Sequence, residues 1–413
     1  MRLLLVTDYY PPLVGGATRA FEQLAGRLAA QGHAVTVASA WQRQAPSFEL
    51  RGGIAVTRLR DSASRIPGTS VDRDRHTPPP LPDPELVWRF RRLLRRSDPD
   101  VIYTFGWLTY SLCAALPRRH PPVILSIRDY GNICPKRSLV RHGRQCSGPG
   151  WGKCPPCARE IYGPLKTLLG TVGVLGGRRL IARRVSAVQS CSRFAETMVL
   201  QNLLSPQVAA RLPRYVIPDF RDETGAGVAP AALPSEPFIL YVGALRDIKG
   251  VRILLDAYER MRAPKPELVL LGSRAPETPT SFPPGVSVLP PAPNPDVLAA
   301  WDRALFGVAP SLLAEPLGNV IHEAMSRGKA VIGTFPGGHA DMIEDGVSGL
   351  LVPAGDTAAL THAMERLTAD HDLREQLAGA ACEPAAAFTA GRVFPAFAEM
   401  FTDVSGTQPE RIR

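Results

Sequence analysis

Short apolar runs alternate with helix-period segments along most of this chain, and that alternation is compatible with few architectures. Leu3 to Thr7 is apolar, Thr18 to Ala30 repeats its apolar side chains at helical spacing, and Ala34 to Ala38 is apolar again. Further strands are expected at Ile54 to Leu59, Val101 to Thr104 and Val123 to Ile127. The pattern restarts at Phe238 to Val242 and continues through Leu268 to Leu271, Leu305 to Ala309 and Ala330 to Ile332. Continuous apolar strands separated by helices imply parallel sheets covered on both faces, because a parallel crossover needs a helix-length connection. The expected fold class is α/β, with two Rossmann-like domains built on parallel, doubly wound sheets.

A chain of 413 residues suits two domains of about 200 residues each. Pro218 to Pro237, loaded with Pro, Gly and Ala, reads as the linker. The expected organisation is an N-terminal domain over 1–217, a linker over 218–236 and a C-terminal domain over 237–390. A terminal helix over 391–413 carries Phe394, Phe397 and Phe401. Asp61 to Pro84, rich in Pro, Ser, Arg and Asp, is expected as loop. Within it Asp72-Arg73-Asp74 has the acid-x-acid spacing of a metal-binding pair, but no strand precedes it and the loop reading is preferred.

No run of about 18 apolar residues occurs, so no transmembrane helix is expected. Met1 to Asp8 passes directly into turn chemistry and reads as a first strand, not a secretory signal. The expected location is cytoplasmic, extending to a peripheral position on the inner face of the membrane. The net charge of +10 comes from 48 basic and 38 acidic residues. Arg89, Arg91, Arg92, Arg95 and Arg96 cluster, and Arg178, Arg179, Arg183 and Arg184 follow the apolar, glycine-bearing stretch Leu165 to Gly177. Such clusters suit an anionic membrane surface or a solvated helix face. No nucleic-acid reader motif accompanies them, and no nucleic-acid partner is expected.

Two acids eight positions apart flank an expected helix start in Glu315-Pro316-Leu317-Gly318-Asn319-Val320-Ile321-His322-Glu323. Amides at the start of a helix face outward and can take a phosphate or sugar oxygen. Were the segment fully helical, the two carboxylates would stand about 12 Å apart along the axis, and each can accept two sugar hydroxyls. Two glycine loops follow first strands of the two halves: Gly15-Gly16 before a helix, and Gly243 to Gly250 before the helix Val251 to Met261. Lys249 and Arg246 in the second loop are suited to neutralising a diphosphate. Gly328 to Gly333 then reads as helix stop and buried strand, and Gly337-Gly338-His339-Ala340-Asp341 as a further turn.

This E-x7-E order and its surroundings resemble the donor-binding region of the large family of retaining, nucleotide-sugar-dependent glycosyltransferases with the GT-B fold (glycosyltransferase family four, group 1). The resemblance implies two facing Rossmann-like domains with a cleft between them, and a terminal helix packing back on the first. It implies transfer from a nucleoside-diphosphate sugar to an acceptor hydroxyl with retention, in polysaccharide, glycolipid or glycoconjugate synthesis, on a lipid-linked, saccharide or small-molecule acceptor. By this likeness Glu315 holds donor-sugar hydroxyls with amides from Leu317 to Val320, and Glu323 holds the ribose. Lys249 and Arg246 stabilise the leaving diphosphate, while Gly15, Gly16 and Gly243 lie close to the donor. Many relatives have arginine directly after the glycine, where this chain has Ala244, and a histidine where it has Arg128. Arginine cannot act as a base, so Arg128 is assigned an electrostatic role or a surface ion pair. An epimerase of the same fold and a non-enzymatic membrane-surface protein are the competing readings.

Cys134, Cys146, Cys154 and Cys157 form a C-x11-C-x7-C-x2-C series within the insertion 130–160. Clustered thiols ending in C-x2-C favour a structural zinc over disulfides, with His142 as a substitute ligand. The resemblance implies chemistry independent of a metal cofactor, and it extends to a subset of the family with a cysteine-rich loop after the Asp-Tyr pair.

Overall fold

The structure, a computed structural model, describes residues 1–13, 15–65, 76–220 and 227–406. Asp72-Arg73-Asp74 lies outside the described residues. The chain divides into two compact units, the first comprising Met1–Leu139, Ser147–Pro218 and Val393–Arg413, the second Val140–Cys146 and Asp219–Arg392.

In the first unit the strands are β1 (Arg2–Thr7), β2 (Ala34–Ala40), β3 (Phe48–Arg51), β4 (Ile54–Leu59), β5 (Val101–Thr104) and β6 (Val123–Ile127). A short hairpin of β7 (Val140–Arg141) and β8 (Arg144–Gln145), which belongs to the second unit, follows in sequence, and β9 (Ala187–Ser190) and β10 (Arg214–Val216) complete the first. The sheet order is β10-β9-β6-β5-β1-β2-β4-β3, parallel throughout except for the antiparallel β3–β4 edge. In the second unit β11 (Phe238–Val242), β12 (Leu268–Leu271), β13 (Val286–Leu289), β14 (Ala304–Val308), β15 (Val331–Phe335) and β16 (Leu350–Pro353) pair in the order β13-β12-β11-β14-β15-β16. Both orders reverse direction beside the first strand, at β1/β5 and at β11/β14. Connections leave in opposite directions there, and ligands of open α/β sheets bind outside the strand ends at such points.

The helices of the first unit are α1 (Gly16–Ala30), α2 (Pro84–Ser97), α3 (Leu108–Ala115), α4 (Cys154–Arg159), α5 (Pro164–Ala182), α6 (Arg193–Leu203) and α7 (Pro206–Arg211). Those of the second are α8 (Val251–Arg260), α9 (Asn294–Arg303), α10 (Asn319–Ser326), α11 (Thr357–Ala369) and α12 (His371–Ala386), and α13 (Ala390–Gly406) follows. Local chemistry explains their ends. The α2 helix starts where Asp83 accepts the Leu86 amide, with Pro84 in the first turn, Glu85 beside it and Arg95 and Arg96 in the last turn. Part of the segment expected as loop is a short 3₁₀ turn over Ser62–Arg65, closed by the Asp61 carboxylate on the Ser64 amide.

Core packing follows the apolar pattern. Leu254, Tyr258, Phe306, Leu360 and Met364 fill the second unit. In the first, Phe21 and Tyr103 stack at 5.3 Å and the α13 rings Phe397 and Phe401 close on Tyr103 at 6.4 and 5.6 Å. Phe397 is fully buried, so Phe397→Ala leaves a cavity and should cost about 3–5 kcal/mol. Chemical denaturation of the first unit's transition measures it; a loss below about 1 kcal/mol would mean that α13 is not held by this packing.

Candidate active site

The loop after β11 and the loop after β14 meet at the reversal of the second sheet. Gly250 adopts φ 78°, and a Cβ there would lie 1.8 Å from the Pro310 carbonyl oxygen, so only glycine allows the approach. The Leu312 and Leu313 amides both donate to the Ile248 carbonyl at 3.1 Å. This brings the Lys249 ammonium to 2.6 Å from Glu315 Oε1, which also accepts the Ser311 hydroxyl at 2.6 Å. Burial alone would hinder ionisation of Glu315. The charge of Lys249, His339 and the hydrogen bonds from Lys249 and Ser311 outweigh it and hold the carboxyl below its ordinary value. Nearby, Tyr241 donates to the Ala244 carbonyl at 2.7 Å, and burial with the Glu315 charge pushes its phenol up.

Gly318 caps α10 in the left-handed conformation, φ 91°, with no side-chain cap bond. The first amides of α10 therefore carry no side-chain acceptor at the cap, and Asn319 and Val320 form its opening residues. Leu317 is buried beside them. Glu323, one turn further on, is buried and accepts Asn294 Nδ2 at 3.0 Å. The Gly337-Gly338 turn lies against the Glu315 loop, the Gly338 amide donating to the Glu315 carbonyl at 2.6 Å. A Cβ on Gly338 would stand 2.3 Å from the Pro316 carbonyl oxygen. His339 follows, buried at 1 % exposure, its Nδ1 accepting the Thr334 amide at 3.1 Å. Burial, with Lys249 opposing and Glu315 favouring the proton, pushes this imidazole down to about 4. The sequence drew attention to the glycines of that turn but not to His339, whose only signal was its place two residues after Gly337.

Arg246 is not part of this cluster. It is 54 % exposed and pairs with Glu277 at 3.0 Å. Gly243, with φ 151°, directly follows β11, and its carbonyl would lie 1.8 Å from a Cβ on Gly272. In the first unit Gly15 caps α1, followed by Gly16. Arg128 is buried rather than a surface residue; its Nε donates to Ser126 Oγ at 3.0 Å and its NH2 to the Tyr103 hydroxyl at 3.1 Å, over the Phe21 ring.

The first sheet's own reversal carries a cluster the sequence analysis missed. Asp8, at the end of β1, is fully buried and accepts the Trp107 and Leu108 amides at 2.9 Å each and Arg137 at 2.8 Å. Gly106 makes room, since a Cβ there would sit 2.4 Å from the carboxyl group. Arg137 also binds Asp129 at 2.6 Å and lies among the rings of Tyr9, Phe105 and Trp107. Burial raises the Asp8 carboxyl pKa against the pull of Arg137.

In the cysteine loop, Cys134 Sγ accepts the Leu139 amide at 3.4 Å and Cys154 Sγ the Gly150 amide at 3.3 Å. Cys157 lies on α4 and Cys146 follows β8. Among the described residues no group of three or more His, Cys, Asp or Glu side chains is placed to hold a metal ion. Cys134, Cys146, Cys154 and Cys157 do not form such a group.

With this geometry in place, comparison with known proteins is decisive. Residues 15–214 match the family described as Glycosyl transferase 4-like domain, and residues 236–370 match Glycosyl transferases group 1. The chain belongs to the group 1 glycosyltransferases. A curated relative, the D-inositol 3-phosphate glycosyltransferase 1 of Catenulispora acidiphila, is 27% identical over 74% of this chain and 73% of its own length. Among solved structures, sucrose-phosphate synthase of Thermosynechococcus elongatus superposes with a TM-score of 0.71 at 20% identity, covering 98% of this chain and 99% of that one. Anabaena Alr3699/HepE in complex with UDP-glucose gives 0.68 at 17% identity, covering 97% and 99%. The fold of this glycosyltransferase is GT-B.

The pairing of Lys249 with Glu315 has a pH signature. Because the folded carboxyl titrates below its unfolded value, ionised Glu315 favours folding above the unfolded value, and that contribution fades as pH falls through the folded one. The stability advantage of the wild type over Glu315→Gln should therefore shrink between about pH 7 and about pH 3. Urea midpoints at both pH values measure it; a constant gap would contradict the assignment.

Proposed function

We propose that this enzyme transfers a glycosyl group from a nucleoside-diphosphate sugar to an acceptor hydroxyl with retention, in glycoconjugate or polysaccharide synthesis. The observation that carries this reading is the Lys249–Glu315 pair at 2.6 Å beside the open start of α10. The structural likeness to HepE, solved with UDP-glucose, supports the choice of donor class. In this reading Glu315 takes donor-sugar hydroxyls while the amides of Leu317, Gly318, Asn319 and Val320 line the donor, and Glu323 takes the ribose. Lys249 stabilises the negative charge that develops on the departing diphosphate. The leaving phosphate helps remove the acceptor proton, so no protein base is required at the front face. Arg246, at the rim of this site, reaches an outer phosphate oxygen only by exchanging Glu277 for the ligand.

An epimerase acting on the same donor predicts an isomer from nucleotide sugar alone. The transferase reading predicts free nucleoside diphosphate and slow donor hydrolysis without acceptor. Lys249→Ala should lower turnover by about a hundredfold or more while the protein stays folded by circular dichroism. Glu323→Ala should weaken the thermal stabilisation given by free nucleoside diphosphate, and unchanged turnover in Lys249→Ala would remove that residue from its assigned role.

A lipid-presented acceptor is supported by the two faces of α5. Its inner side packs through Val174, Leu175 and Ile181 together with glycines: a Cβ on Gly173 would lie 2.3 Å from the Pro80 carbonyl oxygen, and one on Gly177 2.2 Å from the Tyr110 ring. Leu165, Leu168, Leu169 and Val172 are outward and exposed, with Trp151 and Ile161 exposed nearby. No described helix is long and apolar enough to cross a membrane, so this face engages a surface instead of spanning it. Arg178 and Arg184 of the basic cluster contribute less than expected, because they bind the Asn202 and Pro117 carbonyls. Replacing Leu165 and Leu168 by Ser should reduce co-sedimentation with vesicles containing anionic lipid by several-fold; equal binding by wild type and variant would refute the docking face.

A further inference from the structure

Thr334 fixes the tautomer of His339. Its backbone N–H donates to Nδ1, so the ring of a neutral imidazole carries its proton on Nε2. That Nε2–H is buried and has no hydrogen-bond partner among the described residues. A buried donor without an acceptor costs about 1–3 kcal/mol, and such groups in native proteins call for a specific explanation. Its position supplies one. A Cβ on Gly318 would stand 2.3 Å from Cδ2 and 2.5 Å from Nε2, so the ring edge lies directly against the residue that caps α10. The donor therefore joins the opening amides of that helix, on the side where Lys249 and Glu315 also act on the ring electrostatically.

The surroundings select an anion. The helix start is positive, Lys249 adds a cation, and Oε1 of Glu315 is engaged by Lys249 and Ser311. A neutral N–H donor in that field suits an oxygen that can only accept, which a phosphate oxygen is and a sugar hydroxyl is not. We propose that His339 is a further donor-binding residue, whose Nε2–H bonds a terminal-phosphate oxygen of the nucleoside diphosphate at the start of α10. This inference rests on the donor class proposed above. It also gives the left-handed glycine at 318 a second purpose, since any side chain there would displace the ring from the helix start.

Two variants separate this role from a packing role. In His339→Asn the amide oxygen replaces Nδ1 as acceptor for Thr334 but no N–H reaches the Nε2 position; in His339→Gln an N–H is restored there. Calorimetric titration with UDP and UMP, and with the adenosine, guanosine and thymidine pairs, identifies the nucleotide that the wild type binds. The diphosphate should bind more tightly than its monophosphate. His339→Asn should lower diphosphate affinity roughly tenfold, equivalent to about 1.4 kcal/mol, with monophosphate affinity unchanged, and His339→Gln should keep the wild-type preference. Diphosphate affinity unaltered in His339→Asn, or equal losses for both nucleotides in both variants, would overturn the assignment. Failure of the wild type to bind any of the diphosphates would instead overturn the donor reading itself, and this inference with it.

Discussion

The close approach of Gly250 to the Pro310 carbonyl is the constraint on which the second unit's site depends. Strand order reverses between β11 and β14, and reversal alone only opens a crevice. Without a Cβ at 250 the two loops leaving those strands come into backbone contact, where Ile248 accepts two amides from the opposite loop. Lys249 is thereby delivered to Glu315 by main-chain geometry, so the charge pair does not have to order the loops that carry it. This matters because a mostly buried ion pair must offset the desolvation of its charges before it adds stability; here its value lies in where it holds an ammonium and a carboxylate before a ligand arrives.

The first unit solves the same problem with a buried carboxylate. Asp8 at the end of β1 ties down the start of α3 through two amides, and Gly106 is the residue that gives it space. Arg137 then links Asp8 to Asp129 across three aromatic rings. One positive group is shared by two carboxylates inside the protein, so removing it would leave buried charge uncompensated, the costly way to break such a network. The cysteine-rich segment is thus fixed to the sheet by an arginine within it.

Strand positions and the α/β class were legible in the sequence because parallel strands buried on both faces are unbroken apolar runs, as in Phe238–Val242 and Leu268–Leu271. The start of α10 was legible for a different reason: a new helical period, Val320, Ile321, Ala324 and Met325, begins directly after Gly318 and Asn319, and Gly318 takes the cap position. Side-chain partners were not legible. Arg246 and Lys249 lie three residues apart in one loop, yet a 3₁₀ turn over Asp247–Lys249 directs one to Glu277 and the other to Glu315. Arg128 was expected to face ligand or solvent, and the hydroxyls of Ser126 and Tyr103 hold it inward. The Asp8–Arg137 bond joins residues 129 positions apart, and no local pattern encodes that pairing.

The α5 helix divides its apolar residues between two faces. Read as a sequence, Leu165 to Gly177 is simply apolar with interspersed glycines, and apolar side chains are usually taken as core. The structure puts Thr171, Val174, Leu175 and Ile181 in the core beside Gly173 and Gly177, where only residues without a Cβ let the helix backbone reach Pro80 and the Tyr110 ring. Leu165, Leu168, Leu169 and Val172 stand on another face of the helix and remain exposed. Substituting larger residues at the glycines would push the helix off its support, and substituting polar residues at the leucines would not. The exposed apolar face therefore stands beside a packed one on the same helix.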